Sequence, residues 1–555
     1  MKRDVGGWVT RLDDEMVARY TARGQWSGIT LARCAFDRAN DMPNRIAVVD
    51  GAAEFTFKSL LSRALQLLWH LRDQGLRSGD VVSFQLPNWH EAMVINLAVC
   101  LGGFICNPIV AIYRDAEVGF ILRDSRSRML FIPENFRGVD YVAMMERIKP
   151  GLPDLRDVVL VRGRRSGFSS FDAWVNDSDV SNDRAAKGPS DEVIDPNAIK
   201  MLLYTSGTTG NPKGVLHSHN TIRAEIEAIT QFWEVTASDV VLMASPVTHI
   251  TGYLYALELA FSAGIKAIFM DRWNAEAAVN LVSIHGVTFS IGATPFLVEI
   301  VEATESHGRG MTLPSLRLFA CGGSAVPPEI IQRAGHVLPN CKTFRIFGCT
   351  EAPTISAGLG KNDPIACGAT TDGRILNHEV RIVDTENGRV MPSGAEGEIL
   401  TRGPEVMLGY TNLETTADAF DVDGFFKTGD LGFVSSDGFI TISGRKKDLI
   451  IRGGENISPK EIEDVLHRHP AIQEVSVVAM PHSRMGETPA AYVILRPGAS
   501  LSLDGLKTFL EEAKLARQKF PERLVVVEDF PRTASGKVLK HVLRARIVEE
   551  ASILR

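Results

Sequence analysis

Three features of the 555-residue chain predict an α/β protein: a large N-terminal domain of parallel-sheet α/β subdomains and a smaller α+β C-terminal domain. The length exceeds what one hydrophobic core ordinarily serves, so two or more domains are expected. Helical and extended apolar patterns alternate through the first half, a rhythm that calls for parallel strands covered by helices. Near Gly444 the alternation gives way to a mixed strand and helix pattern. Apolar residues make up 45% and charged residues 23%, the balance of a globular protein. A formal net charge of -7 lacks the basic excess of a nucleic-acid binder.

The N-terminus, MKRDVGGWVTRLDDEM, carries charges where a signal peptide needs an apolar core. Ala64 to Gly75 reads as a helix closed by Gly, Val81 to Gln85 as a strand, Ala92 to Leu101 as a helix and Ile105 to Val110 as a strand. No charge occurs from Ala92 to Tyr113, a stretch long enough to span a bilayer. Asn96, Gly102-Gly103 and Asn107-Pro108 divide it, so a buried α/β layer is expected instead of a transmembrane segment. The polar stretch from Arg162 to Asn197 reads as a surface excursion, and Ile199 to Tyr204 as a buried strand.

A new unit is expected to begin around Gly444 to Lys447, dividing the chain into domains 1–444 and 445–555. Its strands fall near Asp448 to Ile451, Val475 to Met480, Ala491 to Leu495 and Arg523 to Val527, with helices near Pro459 to Arg468 and Leu503 to Lys514. No internal repeat is visible, and no fused carrier module is expected after Lys537. The seven cysteines (34, 100, 106, 321, 341, 349 and 367) form no CxxC pair. Neither a zinc ribbon nor a disulfide framework is indicated, and a reducing, cytoplasmic setting fits.

The most informative segment follows the Ile199 strand: Thr205-Ser206-Gly207-Thr208-Thr209-Gly210-Asn211-Pro212-Lys213-Gly214. Glycines let the backbone curl its N–H groups toward an anion, and hydroxyls add donors, as a polyphosphate requires. The GxxxxGK[ST] nucleotide loop is not matched. Further motifs follow in order: CGGSAVP (321–327), FGCTE (347–351), GFFKTGD (424–430), GRKKDLIIRGGENISPKEIE (444–463) and PRTASGK (531–537).

Together these segments resemble the adenylate-forming superfamily of acyl-CoA synthetases, luciferases and peptide-synthetase adenylation domains. The resemblance implies that Thr205, Ser206, Gly207, Thr208, Thr209, Gly210 and Lys213 hold the phosphates of ATP. It implies that Phe347 stacks on adenine beside Gly348 and Cys349, and that Gly322, Gly323 and Ser324 line the adenine and acyl group. Thr350 would contact the α-phosphate and Glu351 would hold Mg²⁺, with Thr205 a second candidate ligand. Asp430 would take the ribose hydroxyls, with Arg445 as a second contact. Lys537 would be the adenylation lysine, bridging carboxylate and α-phosphate. Lys447 matches a hinge about which the small, mobile domain swings, and Gly453 and Gly454 match a loop lining the pantetheine tunnel.

The implied reaction joins a carboxylic acid to AMP with release of pyrophosphate, then to CoA. The acyl pocket is expected among 246–255, 290–296, 321–324 and Ile346, with His249 as a gate residue. As a lone His its alternative reading is a satisfied core histidine, with the gate role favoured. Neither of the first two segments contains Asp, Glu, Lys or Arg, which favours an uncharged acyl group. These segments resemble most those of short- and medium-chain or alicyclic (cyclohexanecarboxylate-type) acyl-CoA ligases; aryl and longer acids stay open. So do a carrier protein or oxygen as acceptor, a non-catalytic homologue, and a homodimer.

Overall fold

The computed structural model describes residues 2–176, 194–205, 212–306, 312–323, 326–533 and 536–553. Among them the first 356 residues, with the strand Gly409–Tyr410, build two eight-stranded sheets. The first sheet runs in the order Ser169–Ser170, Asp157–Val161, Met129–Pro133, Val81–Phe84, Ile105–Pro108, Ile199–Thr205, Lys213–Ser218 and Gly409–Tyr410. It is parallel as far as Ile199–Thr205, and its last two pairings are antiparallel. The second runs Ala352–Ser356, Lys342–Cys349, Leu318–Gly322, Phe289–Gly292, Val240–Met243, Lys266–Phe269, Ile46–Asp50 and Ala53–Thr56. It is parallel throughout except for its two edge pairings.

Side chains on a strand alternate between faces, and the cores divide accordingly. Val82, Phe84, Met129 and Phe131 of the first sheet share a core with Val241 and Met243 of the second. Val81, Leu130 and Ile132 pack outward in one separate core, and Val240 and Leu242 in another. Helices Leu31–Asp41, Phe57–Asp73, His90–Leu101 and His219–Phe232 fill the layer between the sheets. All 12 residues of His90–Leu101 are buried. A helix covered on every side has no polar face, which accounts for the charge-free run. No helix among the described residues is long and apolar enough to cross a membrane.

The same layer holds a π-helical turn, Tyr253–Glu258, followed by Leu259–Ala263. Asn96 bridges it: its Oδ1 accepts from the Tyr253 hydroxyl at 2.8 Å and its Nδ2 donates to Glu258 Oε1 at 2.8 Å. Glu258 also pairs with Lys200. Both are nearly inaccessible, at 3% and 2% exposure, so neither charge has bulk water as an alternative partner.

A four-stranded antiparallel sheet follows (Glu379–Val383, Gly397–Arg402, Phe426–Val434, Ile440–Arg445), then a five-stranded sheet of Glu455–Ile457, Ile450–Arg452, Gly486–Leu495, Ile472–His482 and Arg523–Val526. Helices Pro459–Leu466 and Leu503–Glu512 cover one core of that last sheet, and Lys540–Ile553 packs on the other. Mixed α/β architecture with large, mostly parallel sheets and a separate C-terminal domain is therefore what the chain adopts.

Some expected elements differ. The helix expected at Ala64 begins at Phe57, where the Thr56 side chain caps it by accepting from the Ser59 N–H. The Arg162–Asn197 stretch is not all surface: Ser169–Ser170 adds an edge strand, and Phe171, Trp174 and Val175 bury their side chains. Polar neighbours in sequence masked those three apolar positions. The helix Lys540–Ile553 went unexpected, its apolar contacts Leu543 and Ile547 being few among charges. All seven cysteines are free.

Candidate active site

A cleft of about 1440 Å³ lies between the C-terminal end of the second sheet, the antiparallel sheet and the C-terminal domain. Open α/β sheets bind ligands at the carboxyl ends of their strands. Leu318–Gly322 runs out into Gly323, and Lys342–Cys349 delivers Phe347 and Gly348 to the same rim. Two glycines there are fixed by close approach. A Cβ on Gly322 would meet Ile346 Cγ1 and O at 2.7 Å, and one on Gly348 would meet Pro353 O at 1.9 Å.

Glu351 and Thr350 follow directly. Glu351 Oε1 accepts from the Tyr410 hydroxyl at 2.9 Å and lies 3.5 Å from Thr205 Oγ1. The neighbouring anion pushes the Tyr410 hydroxyl, already raised by burial, further up. The Glu351 backbone carbonyl accepts from the Met407 N–H at 2.8 Å. Thr350 is held from behind: its carbonyl accepts from His217 Nε2 at 2.8 Å, and His217 Nδ1 faces Thr221 Oγ1 at 3.1 Å. Burial lowers the His217 pKa to about 4, so the ring is neutral and its single proton serves the Thr350 carbonyl.

Asp430 and Arg445 are cross-strand partners in the antiparallel sheet. The Arg445 Nε donates to Asp430 Oδ1 at 2.7 Å. Burial raises the Asp430 carboxyl while Arg445 draws it back. Both line the cleft with Lys447 and Lys537.

Lys537 arrives on a tight loop closed by Thr533 N–H to Lys537 O (2.8 Å) and Gly536 N–H to Thr533 O (2.9 Å). Gly536 has φ +83°, a conformation glycine adopts at no steric cost. A Cβ at Gly536 would sit 3.9 Å from Pro295 Cγ, and one at Gly323 would sit 3.6 Å from Lys537 Cε. The lysine stem thus passes over the Gly323 backbone into the N-terminal half. Burial and the like charge of Arg445 lower its pKa, while Asp430, Cys349 and Glu351 oppose them.

His249 caps the helix that leads into the π turn, its Nδ1 accepting from the Thr251 N–H at 3.4 Å. Burial, then the Lys537 ammonium, push its pKa down to about 4. A neutral ring with Nδ1 accepting carries its proton on Nε2.

Gly323, Phe347, Gly348, Asp430, Arg445, Lys447 and Lys537 line one cleft. Thr350 and Glu351 follow Cys349 directly in the chain and Thr205 Oγ1 lies 3.5 Å from Glu351 Oε1, while Gly322 and His249 are not among the residues lining the cleft. Cys349 is held in the same strand, its thiol pushed up by burial. Lys213 lies on the strand after the glycine-rich loop, its Nζ 5.3 Å from the Tyr410 ring centre. Ser206, Gly207, Thr208, Thr209, Gly210 and Ser324 lie outside the described residues. Gly453 and Gly454 do not line the cleft: they form the two-residue turn between Ile450–Arg452 and Glu455–Ile457, with φ +61° and +92°. Sequence reasoning missed His217 and Tyr410. For His217 the available signal was its place just after the 205–214 segment, whereas Tyr410 reaches the strand Lys213–Ser218 only through the pairing of Gly409–Tyr410 in the fold.

Such a cleft, with acidic and hydroxyl oxygens on one wall and a lysine entering from a second domain, defines a nucleotide-dependent, adenylate-forming type of α/β enzyme. The chain belongs to the AMP-binding enzyme family: that family matches residues 35–411, and the AMP-binding enzyme C-terminal domain matches 461–537. It is 35% identical to the medium-chain fatty-acid–CoA ligase of Escherichia coli (strain K12), over 97% of this chain and 94% of the relative. The long-chain-fatty-acid–CoA ligase of Bacillus subtilis (strain 168) is 30% identical over 94% of each. Among solved structures, ATP-bound MatB from Rhodopseudomonas palustris superposes with a TM-score of 0.81 at 27% identity, covering 93% of this chain and 98% of that one.

Proposed function

We propose that the chain activates an uncharged, apolar monocarboxylic acid, of short to medium length or alicyclic, by making acyl-AMP and pyrophosphate and then acyl-CoA and AMP. The enzyme is an AMP-forming acid–thiol ligase, with ATP and CoA as co-substrates. The observation that carries this reading is the buried entry of Lys537 opposite Glu351 and Asp430. There a fixed ammonium sits where charge develops as the carboxylate oxygen attacks the α-phosphorus and pyrophosphate leaves.

Each residue then has a chemical task. Thr350 and Lys537 hold α-phosphate oxygens, Asp430 accepts from the ribose hydroxyls, and the Phe347 face takes adenine. The glycine-rich loop from Thr205, with Lys213 at its end, cradles the phosphates. Mg²⁺ fits the Glu351 and Thr205 pair: both are oxygen donors, and 3.5 Å apart they approach the spacing of about 3 Å between neighbouring ligands of an octahedral ion. When bound, the ion neutralises phosphate charge. Lys447 acts as the pivot between domains 1–444 and 445–555, and rotation there withdraws Lys537 and brings Gly453-Gly454 to the cleft.

The acyl group is read from the recess around His249. Segments 246–255 and 290–296 supply Val247, Ile250, Leu254 and Ile291 to the core, while Thr294, Pro295 and Ile346 line the cleft. In this reading the neutral His249 is the gate residue near the carboxylate. The E. coli relative named for medium-chain fatty acids supports the same acid class.

A panel of acids from butanoate to decanoate, with benzoate and cyclohexanecarboxylate, tests this by AMP release with and without CoA. Medium-length or alicyclic acids should give the highest kcat/KM and a CoA thioester. Preference for a charged or amino acid, or acyl-AMP that never transfers to CoA, would overturn the assignment.

A further inference from the structure

Glu225 and Glu405 are both fully buried, at 0% exposure. One comes from helix His219–Phe232, the other from the loop between strands Gly397–Arg402 and Gly409–Tyr410. Glu225 Oε1 accepts from the Tyr255 hydroxyl at 2.7 Å and from Thr354 Oγ1 at 2.5 Å. Glu405 Oε1 accepts from Asn377 Nδ2 at 2.9 Å. The second oxygen of each, Oε2, meets no donor among the described residues, and the two carboxyl groups face each other closely enough for each to shift the other's ionisation.

The titratable groups facing the pair are Tyr255 and His378. The His378 Nδ1 lies 3.6 Å from Glu405 Oε2 but gives its proton to the Leu376 carbonyl at 2.8 Å, and burial lowers its pKa to about 4. No Lys or Arg among the described residues is paired with either carboxyl. Two buried like charges without a cation cannot both ionise, so one proton must lie between them. Two donors already serve Glu225 Oε1, which marks Glu225 as the carboxylate. The proton therefore sits on Glu405 Oε2 and is donated to Glu225 Oε2.

The loop carrying Glu405 is also what holds Glu351. Met407 donates its N–H to the Glu351 carbonyl at 2.8 Å, and Tyr410 donates to the Glu351 carboxylate at 2.9 Å. Thr354, bonded to Glu225, lies on the strand that begins at Ala352, just after Glu351.

We propose that Glu405 is a positioning residue for Glu351, clamping the 403–410 segment through a protonated carboxyl–carboxylate bridge to Glu225. The idea rests on the reading of Glu351 as a metal-holding carboxylate. Burial and Glu225 raise Glu405 well above its ordinary value of 4.5. The bridge therefore stabilises fully below that ordinary value, and its contribution is lost as pH rises through the raised folded-state value.

The experiment compares full-length wild type, Glu405→Gln and Glu225→Gln in two readouts across pH. These are Tm and the Mg²⁺ concentration giving half-maximal ATP–pyrophosphate exchange with a good acid. An amide at either position donates to the remaining carboxylate at every pH. Wild-type Tm should fall relative to both variants as pH rises, and its half-saturating Mg²⁺ should rise several-fold while theirs stays flat. A Tm gap independent of pH, or the same Mg²⁺ dependence in all three proteins, overturns the proposal. So does loss of folding in both variants, since it would mean that two charges are required. Absence of exchange by wild type would instead sink the ligase reading, with the Tm comparison still deciding the bridge.

Discussion

Lys537 carries a charge into a place where charge is costly, between Arg445 and Asp430 and over the Gly323 backbone. Such a lysine is worth its burial only if something anionic arrives. Lys537→Ala is expected to lower acyl-AMP formation about 10²–10³-fold while leaving conversion of supplied acyl-AMP to acyl-CoA near wild type. Equal loss in both half-reactions, with Tm unchanged, would count against domain alternation. His249 makes a complementary case. With a pKa near 4 its imidazole is neutral across the physiological range, so it acts by shape and through its Nε2–H. His249→Gln should change the KM for the acid without altering the pH dependence of adenylation above about pH 6. A lost or shifted limb there would show that the imidazole titrates during turnover.

At the scale of elements, the Gly453-Gly454 hairpin shows how local chemistry and function converge. Positive φ at both residues matches the two-residue turn whose twist suits flanking strands, and a Cβ on Gly453 would strike Met485 Cε at 2.6 Å. Gly454 meets nothing within 4 Å, so a side chain there strains only the backbone, by about 1–3 kcal/mol. Gly454→Val should thus fold and make acyl-AMP, yet transfer to CoA poorly. Equal loss in both steps would place the hairpin outside the thioester path. The turn at Lys446–Asp448 is held from the last helix, where Arg544 donates to the Lys447 carbonyl at 3.1 Å and pairs with Asp448 at 3.2 Å.

For the whole molecule, charged groups line the cleft from both domains, among them Glu299, Glu302, Glu329 and Arg333 on one side and Lys460, Arg532 and Lys540 on the other. Solvated charges separate with little loss compared with an apolar seam. Fluorophores on the two domains should report at least two distances, with the shorter-lived one gaining population when CoA meets a non-reactive acyl-AMP analogue. A single unchanging distance through the cycle would argue against the pivot. Several residues lining the cleft, such as Phe347, Gly348 and Lys537, were legible in the sequence because they fall in the contiguous motifs 347–351 and 531–537. The α/β layering was legible because strand and helix periods alternate. What stayed hidden depends on long-range encounters. No motif in the sequence singles out Glu225 or Glu405, which lie 180 residues apart and are buried only by the fold. His217 gains its task only through the Thr350 carbonyl, and Phe171 and Trp174 were obscured by polar neighbours.

The wide turn at Tyr253–Glu258 has an implication for how this chain tolerates insertion and deletion. Residues five apart on an α-helix point about 140° away from each other, whereas four apart they lie within about 40°. Tyr253 and Glu258 nonetheless reach the same Asn96 side chain, because the π geometry absorbs one surplus residue. Removing one codon between them, such as that for Ala256, would let the segment relax to an ordinary helical winding with both Asn96 bonds kept. Length variation should therefore be accommodated there, and not in the fully enclosed His90–Leu101 helix, where losing a residue would rotate every later side chain out of its socket.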